Sequence, residues 1–173
     1  MLIGRYQDLV LESRTSGFRS ERDVRVADEA ELAELKPFLA PGDHEDRIRH
    51  GNLCVVVEDD AGHPVGLQWV NRYAHQDRYL GRLTKPTESV AYLNQTIISP
   101  NLRGRGHGRR LMAGTLALAH ELGVERVRLF VDRDNRAMRQ LCDLLGFEQV
   151  ASQVGVRIGG LTLRMTRHSR EIP

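Results

Sequence analysis

Ile97-Ile98-Ser99-Pro100-Asn101-Leu102-Arg103-Gly104-Arg105-Gly106-His107-Gly108-Arg109-Arg110-Leu111 is the stretch on which the reading turns. An apolar, strand-like lead ends at a proline, three glycines alternate with Arg105 and His107, and a helical pattern follows. Leu111, Thr115, Leu118 and Leu122 recur at helical spacing, and Gly123 stands where such a helix stops. A strand, a glycine-rich loop and a helix start together make an anion site. Glycines let backbone N–H groups turn toward a bound group. The first helical turn adds unpaired N–H donors and a partial positive charge. Arg103, Arg105, Arg109 and Arg110 surround the loop with formal charge, and a diphosphate suits it. A dinucleotide-binding Gly-x-Gly-x-x-Gly fails, because from Gly104 the third glycine falls on Arg109. The Gly-Lys-Ser/Thr of a nucleoside-triphosphate loop is absent. The competing reading is a tight turn with no ligand.

Outward from this loop, Glu88 to Ser99 reads as a strand, and Val127, Leu129 and Val131 alternate as another. Asn135 to Leu145 predicts a helix with Met138, Leu141, Cys142 and Leu145 on one face and Gly146 as its stop. Phe147 to Val156 and Leu161 to Arg167 are strands. Upstream, Leu53 to Glu58 and Pro64 to Val70 flank Asp59-Asp60-Ala61-Gly62 and predict a hairpin. Val24 to Val26 is a short strand. Asp28 with Glu31 has capping-box spacing before a helix carrying Leu32, Leu35, Phe38 and Leu39, and Asp43 to His50 is a second short helix. Residues 72–86 read as a polar, irregular loop facing substrate. Residues 1–23 read as an N-terminal arm with room for one short element at its apolar patch, Leu9-Val10-Leu11, and residues 24–173 as one domain. The order β-α-α-β-β-β-α-β-α-β-β is an α/β or α+β arrangement, a mixed sheet with helices on its faces.

Composition limits the function. The 173 residues carry 25 Lys+Arg against 23 Asp+Glu, a net charge of +2 that gives no case for nucleic acid or an anionic membrane. Aromatics are 5%, without the interleaving of bases and rings that nucleic-acid binding needs. Two cysteines, Cys54 and Cys142, exclude a disulfide scaffold. No apolar run reaches the roughly 20 residues of a spanning helix, and the polar start is unlike a signal peptide. A cytoplasmic protein is expected. The seven histidines are scattered and no metal site is expected.

Arg103-x-x-Gly106-x-Gly108 resembles the acyl-CoA-binding motif of the GNAT N-acetyltransferase superfamily. Asp134-Asn135-Arg136-Ala137-Met138 followed by Leu144-Leu145-Gly146-Phe147 is similar to that family's second conserved segment. The resemblance implies a mixed, mostly antiparallel central sheet with helices on both faces, splayed at the acyl-CoA site. It implies acetyl-CoA or another acyl-CoA as co-substrate, and an amine of a small molecule or protein as acceptor. The diphosphate would lie on backbone N–H groups of Arg103, Gly104, Arg105, Gly106, His107, Gly108 and Arg109. The thioester arm would pair with Ile97, Ile98 and Ser99, in a gap beside the strand at residues 127–131. The Ile98 N–H would polarise the thioester carbonyl, and Asn135 would touch the pantetheine arm. A homodimer is an expectation of the same kind.

The family's tyrosine acid falls on Cys142, where a thiol proton donor competes with simple packing. The aligned base position is Tyr92, with Glu88 two strand repeats earlier on the same face. His75 is a further candidate base. Tyr92, Asn94 and Thr96 are expected on one strand face. A CoA-binding module that has lost catalysis is the alternative to an enzyme.

Overall fold

A computed structural model describes residues 3–28, 31–32, 43–73, 75–77, 82–84, 86–158 and 161–168. In chain order its elements are β1 (Ile3–Arg14), β2 (Val24–Val26), α1 (Asp43–Arg49), β3 (Leu53–Glu58), β4 (Pro64–Asn71), β5 (His75–Asp77), β6 (Arg82–Thr84), β7 (Val90–Ile98), a 3-10 turn (Pro100–Leu102), α2 (His107–Glu121), β8 (Arg126–Asp132), α3 (Arg136–Leu144), β9 (Glu148–Ile158) and β10 (Leu161–His168). They form two compact units, residues 14–127 and residues 1–13 with 128–173.

In the first unit the strands run in the order β7-β4-β3-β2, antiparallel throughout. The β3–β4 hairpin closes because Asp59 Oδ1 accepts from the N–H groups of Ala61 (3.0 Å) and His63 (2.9 Å), a side chain standing in for a backbone turn. These bonds hold the Asp59 carboxyl below its ordinary range. Val55, Val56 and Val57 are all inaccessible, so β3 is covered on both faces. Cys54, Val56, Leu67 and Trp69 make one apolar cluster with Ala27 and Leu32, and Ile48 and Ile97 pack against it. Burying Trp69 alone removes roughly 200 Å² from water.

The expected capping box forms. Glu31 N donates to Asp28 Oδ1 at 2.8 Å, and Asp28 N donates to Glu31 Oε2 at 3.0 Å. Arg25 bonds both Glu31 and Glu58 from β2, and it holds the Glu31 carboxyl down to about 2. The helix expected after this box, with Leu35, Phe38 and Leu39, lies outside the described residues. So does Tyr79. The loop read over residues 72–86 instead holds a short hairpin in which His75 pairs with Thr84. Three-residue strands carry too little alternation to register as a pattern.

The second unit runs β10-β9-β1-β8. Within the segment read as an arm, residues 3–14 are a strand of 12 residues, longer than the short element expected there, and β1 pairs with β9 from Ile3↔Ile158 to Glu12↔Glu148. Leu9, Val10 and Leu11 are buried together with Asp8 and Ser13. Polar residues at buried positions hide the strand from a hydrophobicity reading. Two four-stranded runs, mostly antiparallel, with helices between strands give the mixed α/β class expected.

Candidate active site

The glycine loop follows from how β7 ends. Ser99 N donates to Val65 O (2.9 Å), Leu102 N returns to Ser99 O (2.9 Å), and Pro100 opens the 3-10 turn. The chain then enters α2 through Gly104 (φ 77°) and Gly106 (φ 86°), left-handed conformations that glycine adopts without a Cβ penalty. Gly106 caps α2 with no side-chain hydrogen bond, and the first turn holds no acidic residue. Arg109 N and Arg110 N both reach Gly106 O, at 3.0 and 3.1 Å. Among the described residues, no backbone carbonyl takes the five N–H groups from Gly104 to Gly108. A Cβ placed at Gly104 or Gly106 would meet nothing within 4 Å. Free donors and open space thus coincide at the positive end of a 15-residue helix.

The four arginines do different work. Arg103 Nε donates to Ile98 O at 3.1 Å and ties the loop to the strand end. Arg110 turns inward, pairing Asp23 at 2.6 Å and donating to His107 Nδ1 at 2.7 Å. Arg105 and Arg109 are exposed and have no ion pair among the described residues. The His107 side chain is only 8% exposed and is held by Arg110, so it serves the loop's structure, while its N–H stays in the row of free donors.

β7 is not a regular strand. Leu67 pairs with Ile97, but Trp69 pairs with Asn94, so β7 spends three residues where β4 spends two. The bulge sits at Gln95, whose φ of 52° makes it the only non-glycine residue with positive φ in the described chain. Gln68, skipped by the register and fully buried, donates from Nε2 to Thr96 Oγ1 at 2.7 Å. The row expected from Tyr92, Asn94 and Thr96 is therefore broken. Tyr92 and Asn94 stand opposite Asn71 and Trp69, and Thr96 turns to Gln68 on the other side. Beyond the bulge the ladder resumes. Because Ser99 N bonds Val65 O, the next pair, Ile98 and Gly66, is a non-hydrogen-bonded one, and the Ile98 N–H points away from β4. Gly66 permits the close approach: a Cβ there would lie 2.3 Å from Ile98 Cδ1 and 2.8 Å from Ile97 O.

Other candidates lie elsewhere. Glu88 is exposed in the turn before β7 and borders a cavity of about 410 Å³ lined also by Arg72, Tyr73, Pro86, Thr87, Ala91 and Val124. The whole of β7, nine residues, lies between it and the strand end at Ile98, about 30 Å, beyond the reach of a direct base. Tyr92 is partly buried on the Asn71 face. Cys142 is fully buried, and burial pushes its thiol up to about 12. It is the buried residue of α3, as the packing reading has it. Asn135 caps α3, its Oδ1 accepting from Met138 N at 3.1 Å, which commits the carbonyl end of its amide. Among the described residues no group of three or more His, Cys, Asp or Glu is placed to hold a metal, and no helix is long and apolar enough to cross a membrane.

The family model for the acetyltransferase (GNAT) family matches residues 19–147. The chain belongs to the GNAT acetyltransferase family. A mycothiol acetyltransferase from Propionibacterium freudenreichii subsp. shermanii is 33% identical over 101 residues, 58% of this chain. The match spans 29% of that relative's length. A GNAT-family protein from Novosphingobium aromaticivorans superposes with a TM-score of 0.67 at 18% identity, over 96% of this chain and 66% of its own. A tandem GNAT protein from the clavulanic acid biosynthesis pathway gives a TM-score of 0.59 at 15% identity, over 92% of this chain and 53% of its own. At these identities the two structures report the fold.

The bulge and the buried amides of β4, Gln68 and Asn71, carry no mark in the sequence beyond a polar residue set inside an otherwise apolar strand.

Proposed function

We propose that this chain transfers an acetyl group from acetyl-CoA to an amine, in the cytoplasm. The carrying observation is the row of five unspent N–H groups, Gly104 to Gly108, at the start of α2 and one short turn beyond the bulged end of β7. The loop would take the diphosphate, with Arg105 and Arg109 adding charge from the surface. Ile98 N–H, aimed away from β4, would hold the thioester oxygen where negative charge develops. The amine loses one proton to solvent and attacks the carbonyl carbon. The new C–N bond forms, the adduct sheds its second proton, the C–S bond breaks, and CoA leaves as a thiolate that takes a proton from water. Thiolate leaves well enough to need no protein acid, in keeping with the packed Cys142.

A second reading, a CoA-binding module without turnover, draws on that same cysteine in the tyrosine position. Calorimetric titration with acetyl-CoA, on wild type and Gly106→Glu, tests the shared cofactor step. Wild-type binding that the substitution abolishes supports the loop assignment, and no binding by wild type defeats it. Amine-dependent release of CoA thiol then separates the enzyme from the module.

A further inference from the structure

The face of β3, β4 and β7 that carries Trp69 holds a polar cluster that the cofactor loop does not use. Asn52 precedes β3, and Asn71 and Trp69 lie on β4 opposite Tyr92 and Asn94 of β7. Asn52, Trp69, Asn71 and Asn94 are each at least nine-tenths buried. Each buries an N–H donor with no partner: Asn52 Nδ2, Trp69 Nε1, Asn71 Nδ2 and Asn94 Nδ2. Two of these amides have their orientation fixed from the other end. Asn52 Oδ1 accepts from Tyr73 N at 3.1 Å, and Asn71 Oδ1 accepts from Arg47 Nη1 at 3.0 Å. Arg47 is inaccessible, the only buried guanidinium among the described residues, and lies 5.4 Å above the Trp69 ring.

We propose that this cluster is the acceptor pocket's carboxylate site, so that the amine substrate is an amino-carboxylate. The assignment rests on the acyl-transfer reading above and narrows its substrate. Every orphan in the cluster is a donor, so the missing partner is an acceptor. Buried donors are rarely left unmatched in folded proteins. A carboxylate offers about four lone-pair positions on two oxygens and so can accept from several of these N–H groups at once. Cys54, the register partner of Trp69, contributes no competing charge, because burial holds it as a neutral thiol. Tyr92, opposite Asn71, is only partly buried. Asn94 precedes Ile98, whose N–H is assigned to the thioester oxygen, by four residues, about 13 Å of strand. That span favours the longer acceptors, in which the amine stands farthest from the carboxylate.

The test is calorimetry of the whole chain with γ-aminobutyrate, ornithine and lysine, each beside its decarboxylated counterpart, propylamine, putrescine or cadaverine. Acetyl-CoA is titrated separately. At least one amino-carboxylate should bind tenfold or more tighter than its partner amine. Asn71→Asp, which sets a like charge against the carboxylate, should abolish that preference while the acetyl-CoA Kd stays within twofold. Asn94→Leu serves as the second variant where Asn71→Asp does not fold, and it should weaken the amino-carboxylate at least fivefold. Equal binding of the paired compounds, binding of none, or a preference that survives both variants overturns the carboxylate site and leaves the cluster to buried water. Failure of acetyl-CoA alone to bind removes the acyl-transfer reading instead, and a persisting carboxylate preference would still stand as a ligand site.

Discussion

Gln68→Leu is the most informative single change, because its effects on stability and on cofactor binding should diverge. The wild-type amide makes one hydrogen bond, Nε2 to Thr96 Oγ1 at 2.7 Å, and leaves Oε1 buried without a partner. Losing the bond costs about 0.5–1.5 kcal/mol, while removing the orphan oxygen returns about 1–3 kcal/mol. Leucine fills much of the same volume, so net stability should lie within about 1 kcal/mol of wild type, on the stabilising side. Cofactor binding should move the other way. The bulge holds Gln95 in a left-handed conformation that costs about 1–2 kcal/mol, and the Gln68–Thr96 bond is what pins the register beside it. A pin worth about 1 kcal/mol converts to an acetyl-CoA affinity about fivefold weaker. Thr96→Val should give the same loss, and the double variant should be no worse than either single one. Urea denaturation and acetyl-CoA calorimetry read the two quantities. An acetyl-CoA Kd within twofold of wild type, or a stability loss beyond about 2 kcal/mol, would refute the view of Gln68 as the register pin.

Four further outcomes are expected. Arg105→Ala and Arg109→Ala should each weaken acetyl-CoA by about 0.5–1 kcal/mol at low salt, with the difference shrinking as ionic strength rises, measured by calorimetry across a salt series. Gly66→Ala should destabilise by about 1–3 kcal/mol in a urea melt, because its Cβ would sit 2.8 Å from Ile97 O and push β7. Cys142→Ala should cost about 1 kcal/mol of stability and leave CoA release per turnover unchanged, and native Cys142 should resist thiol reagents. Glu31 titrates low in the folded chain, so its contribution is present above its unfolded value near 4.5 and is lost as pH falls toward about 2. Glu31→Gln should therefore flatten the loss of stability over that acid window in denaturation curves taken at stepped pH.

Local chemistry made much of this fold legible. The capping box at Asp28, the Asp59 turn, the Leu53–Glu58 and Pro64–Asn71 strands and the α2 boundaries follow from residue types acting over a few positions. The loop with its free N–H groups was legible for the same reason. What stayed hidden depends on partners distant in sequence. Nothing near Gln95 announces an extra residue, because a bulge is defined by β4 as much as by β7. Strict alternation consequently misassigned Thr96. His107 looked like a loop histidine because Asp23 and Arg110, which draw the network inward, are unconnected to it until the chain folds.

Strand β1 carries a consequence for how the protein is made. Ile3 waits for Ile158, and Glu12 for Glu148, as their pairing partners. Residues 14–127 form a contiguous unit that can complete itself during synthesis, whereas the unit containing β1 needs the last strands. At about 5–20 residues per second, the ribosome takes on the order of 10 s to deliver β9 after β1 emerges. During that interval Leu9-Val10-Leu11 is an unpaired strand core on a nascent chain. The polar and charged residues that disguise β1 as an arm, Arg5, Gln7, Asp8 and Glu12 among them, are also what keep it dispersed until its partner arrives.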